Sequence, residues 1–99
     1  MLDALADLPS APAVYAIENG VDGKVYIGSS LNARRRVRHH RYQLRRGSHR
    51  DGYLQRAFAP YGVAAFRAFV LEPLPAGATA AHLLRAEHGC RYHRRGPRL

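Results

Sequence analysis

This chain is short of cysteine, lysine and acid. Cys90 is the only cysteine among 99 residues, so no internal disulfide can form, and a reducing cytoplasm is the compartment that fits. No CxxC or HExxH spacing exists, and the adjacent His39 and His40 would point about 100° apart on a helix. Structural zinc is therefore not expected from these residues and His49. Apolar runs are short and interrupted, and no charged-then-apolar leader opens the chain, so neither a membrane span nor a secretory signal is expected. Gly20 and Gly23 belong to a turn rather than to a phosphate-cradling loop.

Seven acids face sixteen bases, which gives a net charge of +9 and a pI near 10.8. Such an excess favours polyanionic partners, nucleic acid first. It is also localised: Arg34, Arg35, Arg36, Arg38, Arg41, Arg45, Arg46 and Arg50 all fall between Leu31 and Arg50. Lys24 is the only lysine. Arginine offers bidentate phosphate geometry, and a GC-rich coding sequence is an equally good reason for the same bias. With 46 % apolar residues the composition is that of an ordered domain, large enough to fold without staples.

Along the chain, Leu2, Leu5 and Leu8 suggest a loose helical turn stopped by Pro9 and Pro12. Ala13–Glu18 alternates as a strand, with Val14 and Ala16 on one face and Tyr15 and Ile17 on the other. Asn19–Gly23 is dense in turn formers and Lys24–Gly28 resumes strand character, which makes a hairpin. Asn32 caps a helix running to Arg46, with Gly47 as its stop. Ala33, Val37, His40 and Leu44 draw one stripe along it, Arg36 lies on its flank, and the remaining arginines fan towards solvent. Asp51 opens a second helix, Gly52–Pro60. Val63–Leu71 reads as a third strand ended by Pro73 and Pro75. Thr79 caps a final helix, Ala80–Tyr92, weakened at Gly89. The fold class is thus α/β (α+β), with β-β-α-α-β-α order and a small, largely antiparallel three-stranded sheet. Helices are expected on one sheet face, leaving the other face or an edge to carry a site.

Five chemistry-bearing residues recur through this frame: Tyr15, Tyr26, Arg36, His40 and Glu87. Together they can activate a water, hold a metal ion and neutralise a phosphate, which describes a phosphodiester-cutting site. Taken singly they are plainer. The tyrosines read as sheet aromatics, His40 as a hydrogen-bonded core histidine, Arg36 as one helix arginine among many, and Glu87 as an ion-pair partner. Glu87 falls among Leu83, Leu84 and Cys90 on the inner side of the last helix, where a carboxylate needs a partner such as a metal or an arginine. Glu72, beside Pro73, reads as a solvated strand end, and Cys90 as core packing.

The ordered set resembles the GIY-YIG nuclease family. The first motif stands as Ala13-Val14-Tyr15, with alanine in place of glycine. The second is intact as Tyr26-Ile27-Gly28, followed by Ser29-Ser30. Leu54-Gln55-Arg56-Ala57-Phe58 and Tyr61-Gly62 through Glu72 look like the catalytic domain of phage intron-homing endonucleases and of small stand-alone bacterial members. The likeness runs over roughly Pro9 to Tyr92. It implies Tyr15 as general base, with Tyr26 positioning water or phosphate or itself serving as base. Arg36 would grip the scissile phosphate, His40 would accept from or orient the Tyr15 phenol, and Glu87 would bind one Mg²⁺ (or Mn²⁺). His49 matches a further family histidine that contacts substrate; an exposed loop histidine is the plainer reading.

The family implies a single nuclease domain over residues 1–99 and a supporting asparagine beyond the last helix. The chain reaches Leu99 without it, which implies truncation at the C-terminus or a site that manages without that residue. Arg34, Arg35, Arg38, Arg41, Arg45, Arg46 and His49 would bind the nucleic acid. Tyr42, Tyr53 and Tyr61 could stack on unpaired bases, with at least one of them filling the core. The expected function is metal-dependent DNA endonuclease, of low sequence specificity or directed at single-stranded or branched DNA. No organic cofactor and no membrane is expected. The alternatives are a catalytically weak nucleic-acid-binding module of the same fold, or a nuclease directed at RNA.

Overall fold

A computed structural model describes residues 8–21, 23–52, 55, 56 and 65–93, the last three of these by backbone alone. Its elements are β1 (Ala13–Asn19), β2 (Val25–Ser30), α1 (Ala33–Arg46), β3 (Phe66–Pro73) and α2 (Ala80–His93). Gly52, Gln55 and Arg56 are helical; the rest of the expected second helix, the start of the expected third strand and the N-terminal leucine turn before Leu8 lie outside the described residues. The sheet is antiparallel throughout, in the order β2-β1-β3. Among the described residues no helix is long and apolar enough to cross a membrane.

Helix α1 has the bounds that local chemistry dictates. Asn32 sits in extended backbone and its side chain accepts the Arg35 N–H at 3.0 Å, which satisfies a donor the first turn leaves open. Gly47 ends the helix at φ 75°, a left-handed conformation that costs glycine little. The stripe Ala33, Val37, His40 and Leu44 is buried in full. Helix α2 is capped by Thr79, whose hydroxyl accepts the His82 N–H at 3.2 Å. It runs through Gly89 to His93, so that glycine does not end it.

The central strand explains the layering. Every residue from Ala13 to Ile17 is buried, so both faces of β1 need cover. On one face Tyr15 and Ile17 pack with Ala33, Val37, Leu44 and Phe66. On the other, Val14, Val25 and Ile27 pack with Leu71, Ala86 and Cys90. The helices therefore sandwich the sheet, α1 on one side and α2 on the other, and the expectation of one covered face does not hold. An alternating pattern suggested one dry face; with a helix packed on each side of the sheet, the central strand is dry on both. Among the described residues the sheet has two edges, β2 and β3, and the candidate residues gather at β2. Strand β3 extends to Pro73, which pairs with Ala13; an outer strand tolerates a proline that donates nothing to the ladder.

Candidate active site

The site grows from the pairing of Tyr15 with Gly28 across β1 and β2. A methyl group on Gly28 would stand 2.6 Å from the Tyr15 hydroxyl oxygen and 2.8 Å from Cζ. The phenol ring thus lies directly over the glycine backbone. Ala13, the alanine of the first motif, is wholly buried in the same core cluster, so the strand accommodates its methyl.

Seated on Gly28, the Tyr15 hydroxyl meets α1. Its oxygen is 2.6 Å from His40 Nε2, and His40 Nδ1 is in turn 2.6 Å from His49 Nε2. The two imidazoles stack at 4.9 Å between centroids. Tyr26 closes the group by presenting T-shaped contacts to His40 and His49, at 5.2 and 5.9 Å. Arg36, one turn before His40 and half-buried, is close enough for its positive charge to act on the Tyr15 hydroxyl.

Glu87 arrives from the other helix. Its Oε1 accepts the Ser29 hydroxyl at 2.7 Å, and Ser29 directly follows Gly28 on the edge strand. The carboxylate is half-buried, as is Ala86, while Leu83 is buried and Leu84 is 66 % exposed. Leu84 therefore does not share the inner side expected for it. Glu87 and Tyr15 lie close enough that the carboxylate acts electrostatically on the phenol.

Burial and electrostatics set the resting protonation states. Burial, then the neighbouring Tyr26 and Glu87, push Tyr15 well above the ordinary phenol range, against the opposing pull of Arg36. The resting side chain is a neutral phenol. Burial, with the positive Arg36 beside it, pulls His40 down to about 3. His49 is lowered too, by burial first and by Arg36, against the contrary effect of Asp51. Both imidazoles are accordingly neutral near pH 7.

Outside this cluster, a groove of about 740 Å³ is lined by Ser30, Asn32, Arg35, Arg36, Arg38 and His39. It meets, at Arg38, a shallower depression lined by Arg41, Tyr42, Arg45 and Arg46. Arg35, Arg38, Arg45 and Arg46 are exposed, and Arg46 donates to the Tyr42 hydroxyl at 2.6 Å. Tyr42 is exposed and stacks on His39; Tyr53 and Tyr61 lie outside the described residues. Two residues expected to bind nucleic acid are placed differently. Arg34 Nε donates to the Leu8 carbonyl at 2.9 Å, which ties the N-terminal segment to α1. His49 is 9 % exposed, so it is neither an exposed loop residue nor at the surface.

Sequence reasoning gave Asp51 only the start of a second helix, and named Ser29 and Gln55 only as parts of motifs, with no role in the site. Gln55 Oε1 accepts the His49 N–H at 2.9 Å and its Nε2 donates to the Leu44 carbonyl at 3.0 Å, so it pins the segment after α1. Among the described residues no three His, Cys, Asp or Glu side chains converge. One half-buried carboxylate beside a serine hydroxyl suits a hard divalent ion that keeps most of its water, as Mg²⁺ does. It does not suit a caged zinc.

Comparison with known proteins agrees with this geometry. The family description "GIY-YIG catalytic domain" matches residues 11–70, more than half of the chain. Intron-associated endonuclease 1 of Enterobacteria phage T4 is 36 % identical over 62 residues, which are 63 % of this chain and 25 % of that protein. The chain thus spans about a quarter of that relative's length. Two solved structures of the catalytic domain of the homing endonuclease I-TevI superpose with a TM-score of 0.73 at 27 % identity, over 82 % of this chain and 81 and 86 % of theirs. The family match and the fold agree, and the chain belongs to the GIY-YIG nuclease family.

Proposed function

We propose that this chain is a single-domain, metal-dependent DNA endonuclease that acts in the cytoplasm. It would hydrolyse phosphodiester bonds with low sequence specificity or a preference for single-stranded or branched DNA. The observation that carries the reading is the buried Tyr15 hydroxyl bonded to His40 at 2.6 Å, seated over Gly28, with Glu87 held by the adjacent Ser29 at 2.7 Å. A tyrosine that merely packed a sheet would need none of them.

In the proposed reaction the Tyr15 hydroxyl first gives its proton to a water in the cleft, and the phenolate so formed takes a proton from the attacking water. The water oxygen bonds to phosphorus as the bond to the leaving oxygen breaks, and solvent protonates that leaving oxygen. Arg36, at the mouth of the groove, faces the nonbridging oxygens with its guanidinium fork. Glu87, oriented by Ser29, would hold one Mg²⁺ or Mn²⁺. The ion would supply positive charge that offsets the carboxylate and favours ionisation of nearby oxygens. Tyr26 keeps the two imidazoles in place from their edges. Arg35, Arg38, Arg45 and Arg46 give the sequence-independent phosphate attraction that brings DNA to the groove.

Labelled single-stranded, double-stranded and branched DNA, incubated with and without Mg²⁺, tests this. Mg²⁺-dependent nicking is expected, and Tyr15→Phe, Arg36→Ala and Glu87→Ala should each lower it by at least about a hundredfold with the fold retained by circular dichroism. Undiminished cutting by the Glu87→Ala protein would remove the metal assignment. One observation favours the second reading, a catalytically weak binding module: burial holds Tyr15 protonated. That module would shift DNA in a gel and leave it intact in Mg²⁺. RNA oligonucleotides in the same assay decide the substrate sugar.

A further inference from the structure

The protons on the imidazole chain behind Tyr15 can be placed from one unambiguous donor. A backbone amide always donates, and the Asp51 N–H points at His49 Nδ1 at 3.0 Å. That nitrogen must carry a lone pair, so neutral His49 holds its proton on Nε2. Nε2–H then donates to His40 Nδ1, 2.6 Å away. With Nδ1 accepting, neutral His40 holds its own proton on Nε2, which faces the Tyr15 oxygen at 2.6 Å. No second tautomer of either ring satisfies all three contacts.

We propose that the Asp51 amide, His49 and His40 form a one-way hydrogen-bond relay that makes the Tyr15 oxygen an obligate acceptor, with His49 as its positioning residue. The proposal deepens the nuclease reading and rests on it for its kinetic consequence. One N–H donor, His40 Nε2–H, points at the phenol oxygen at 2.6 Å, and the Arg36 charge acts on the same group. The Tyr15 hydroxyl proton is therefore directed away from the histidines, to the side on which Arg36 and Glu87 act. His40 has no lone pair left to take that proton, so a His–Tyr charge relay is excluded. When the Tyr15 O–H bond breaks, the electron pair stays on oxygen and the proton passes to a water in the cleft. The phenolate so formed faces the His40 N–H donor already in position, with the positive Arg36 nearby, which lowers the reorganisation needed to hold its charge. It then takes the proton of the attacking water, which restores the phenol.

The relay also accounts for the architecture of the segment after α1. Gln55 holds the His49 amide and the Leu44 carbonyl at once, and so brings the Asp51 amide under the His49 ring. Among the described residues His49 bonds to His40, Gln55 and Asp51 and meets the Tyr26 ring edge-on, so its hydrogen-bonded route to the Tyr15 oxygen runs through His40.

Two measurements test the proposal on the full chain. In ¹⁵N-labelled protein, long-range correlations through the ring C–H groups report which nitrogen of each histidine bears hydrogen. The expected result is a pyridine-like Nδ1 and a protonated Nε2 in both His40 and His49. A protonated Nδ1 on either residue overturns the relay. In the kinetic arm, His49→Leu removes the donor to His40, whereas His49→Gln keeps an amide N–H near the same position. His49→Leu should lower kcat roughly ten- to a hundredfold with KM for DNA little changed, and His49→Gln should recover most of that loss. Equal losses in both variants, or a loss confined to KM, overturn the positioning role. The spectrum decides by itself where a variant fails to fold. A wild-type protein that shows the expected tautomers and cuts nothing refutes the nuclease reading and leaves the relay standing.

Discussion

Gly28→Ala isolates the requirement that joins fold to site. The backbone at this position lies outside the left-handed region, since among the described residues only Gly23 and Gly47 have positive φ, so conformation alone admits any residue. Space does not. The new methyl would stand 2.6 Å from the Tyr15 oxygen and 2.8 Å from Cζ, close to an ångström short of ordinary contact. Tyr15 has no slack to give, because its ring is rigid, 1 % exposed and held by His40 at 2.6 Å. Relief must come from splaying β1 and β2 or from swinging the phenol off His40. Overpacking of this kind costs about 1–3 kcal/mol, and the weakened hydrogen bond adds about 1 kcal/mol. A melting temperature lower by on the order of 10–30 °C follows for a domain of this size. Cutting should fall by about a hundredfold even where the protein is folded, since a displacement of one ångström is ruinous to a positioned base. Denaturant unfolding with a double-mutant cycle checks the cause: on a Tyr15→Ala background the same substitution should be nearly neutral, giving a coupling of at least about 1 kcal/mol. A Gly28→Ala protein with wild-type stability and wild-type cutting would refute the reasoning.

Three further outcomes are expected. Folded His40 titrates at about 3 against 6.5 when unfolded, so between those values the unfolded chain binds the extra proton. Stability should then be complete above about pH 6.5 and decline towards pH 3, by up to roughly 1.4 kcal/mol per pH unit. His49 is depressed as well and adds to the same slope; urea midpoints at pH 7.5 and 5 that coincide would contradict this. Ser29→Ala removes the 2.7 Å bond that orients Glu87, so the Mg²⁺ concentration for half-maximal cutting should rise about tenfold, and an unchanged Mg²⁺ titration would dismiss Ser29 from the site. Arg45→Ala and Arg38→Ala, both on the exposed face of α1, should each lower the salt dependence of DNA binding by about one phosphate's worth, measured as the slope of log affinity against log salt.

What could be read from the chain divides along the line between local and long-range determinants. Helix α1 was legible to the residue, because Asn32 and Gly47 fix its ends by contacts within a few positions. Strand β2 was read as ending at Gly28 yet runs on to Ser30, since Ser29 and Ser30 are held by pairing with Val14 and Ala13 across the sheet, and no propensity of serine announces that. The candidate residues themselves were legible as a motif, whereas their contacts were not. Tyr15 reaches His40 across 25 positions and Ser29 reaches Glu87 across 58. The burial of His49 was hidden for a similar reason: nothing between Gly47 and Arg50 turns inward by itself, and the fold-back is set by Gln55 from outside that segment.

The sandwiching of the sheet sharpens the question of how a carboxylate from α2 can serve a phenol that faces α1. Alternation along β2 supplies the answer. Consecutive strand residues present opposite faces, so Gly28 lies under the Tyr15 ring on the α1 side while Ser29 turns its hydroxyl to Glu87 on the α2 side. In the centre of the sheet those two sides would be sealed from each other by flanking strands. At β2 they are not, because among the described residues, in the order β2-β1-β3, that strand has a neighbour on one side only. Its free edge is therefore a line from which groups on both faces can act on one point, and the Glu87 charge does act on the Tyr15 oxygen. The dipeptide Gly28-Ser29 is the joint that makes this possible: a residue without a side chain admits the Tyr15 phenol, and the next one carries the hydroxyl that fixes the Glu87 carboxylate.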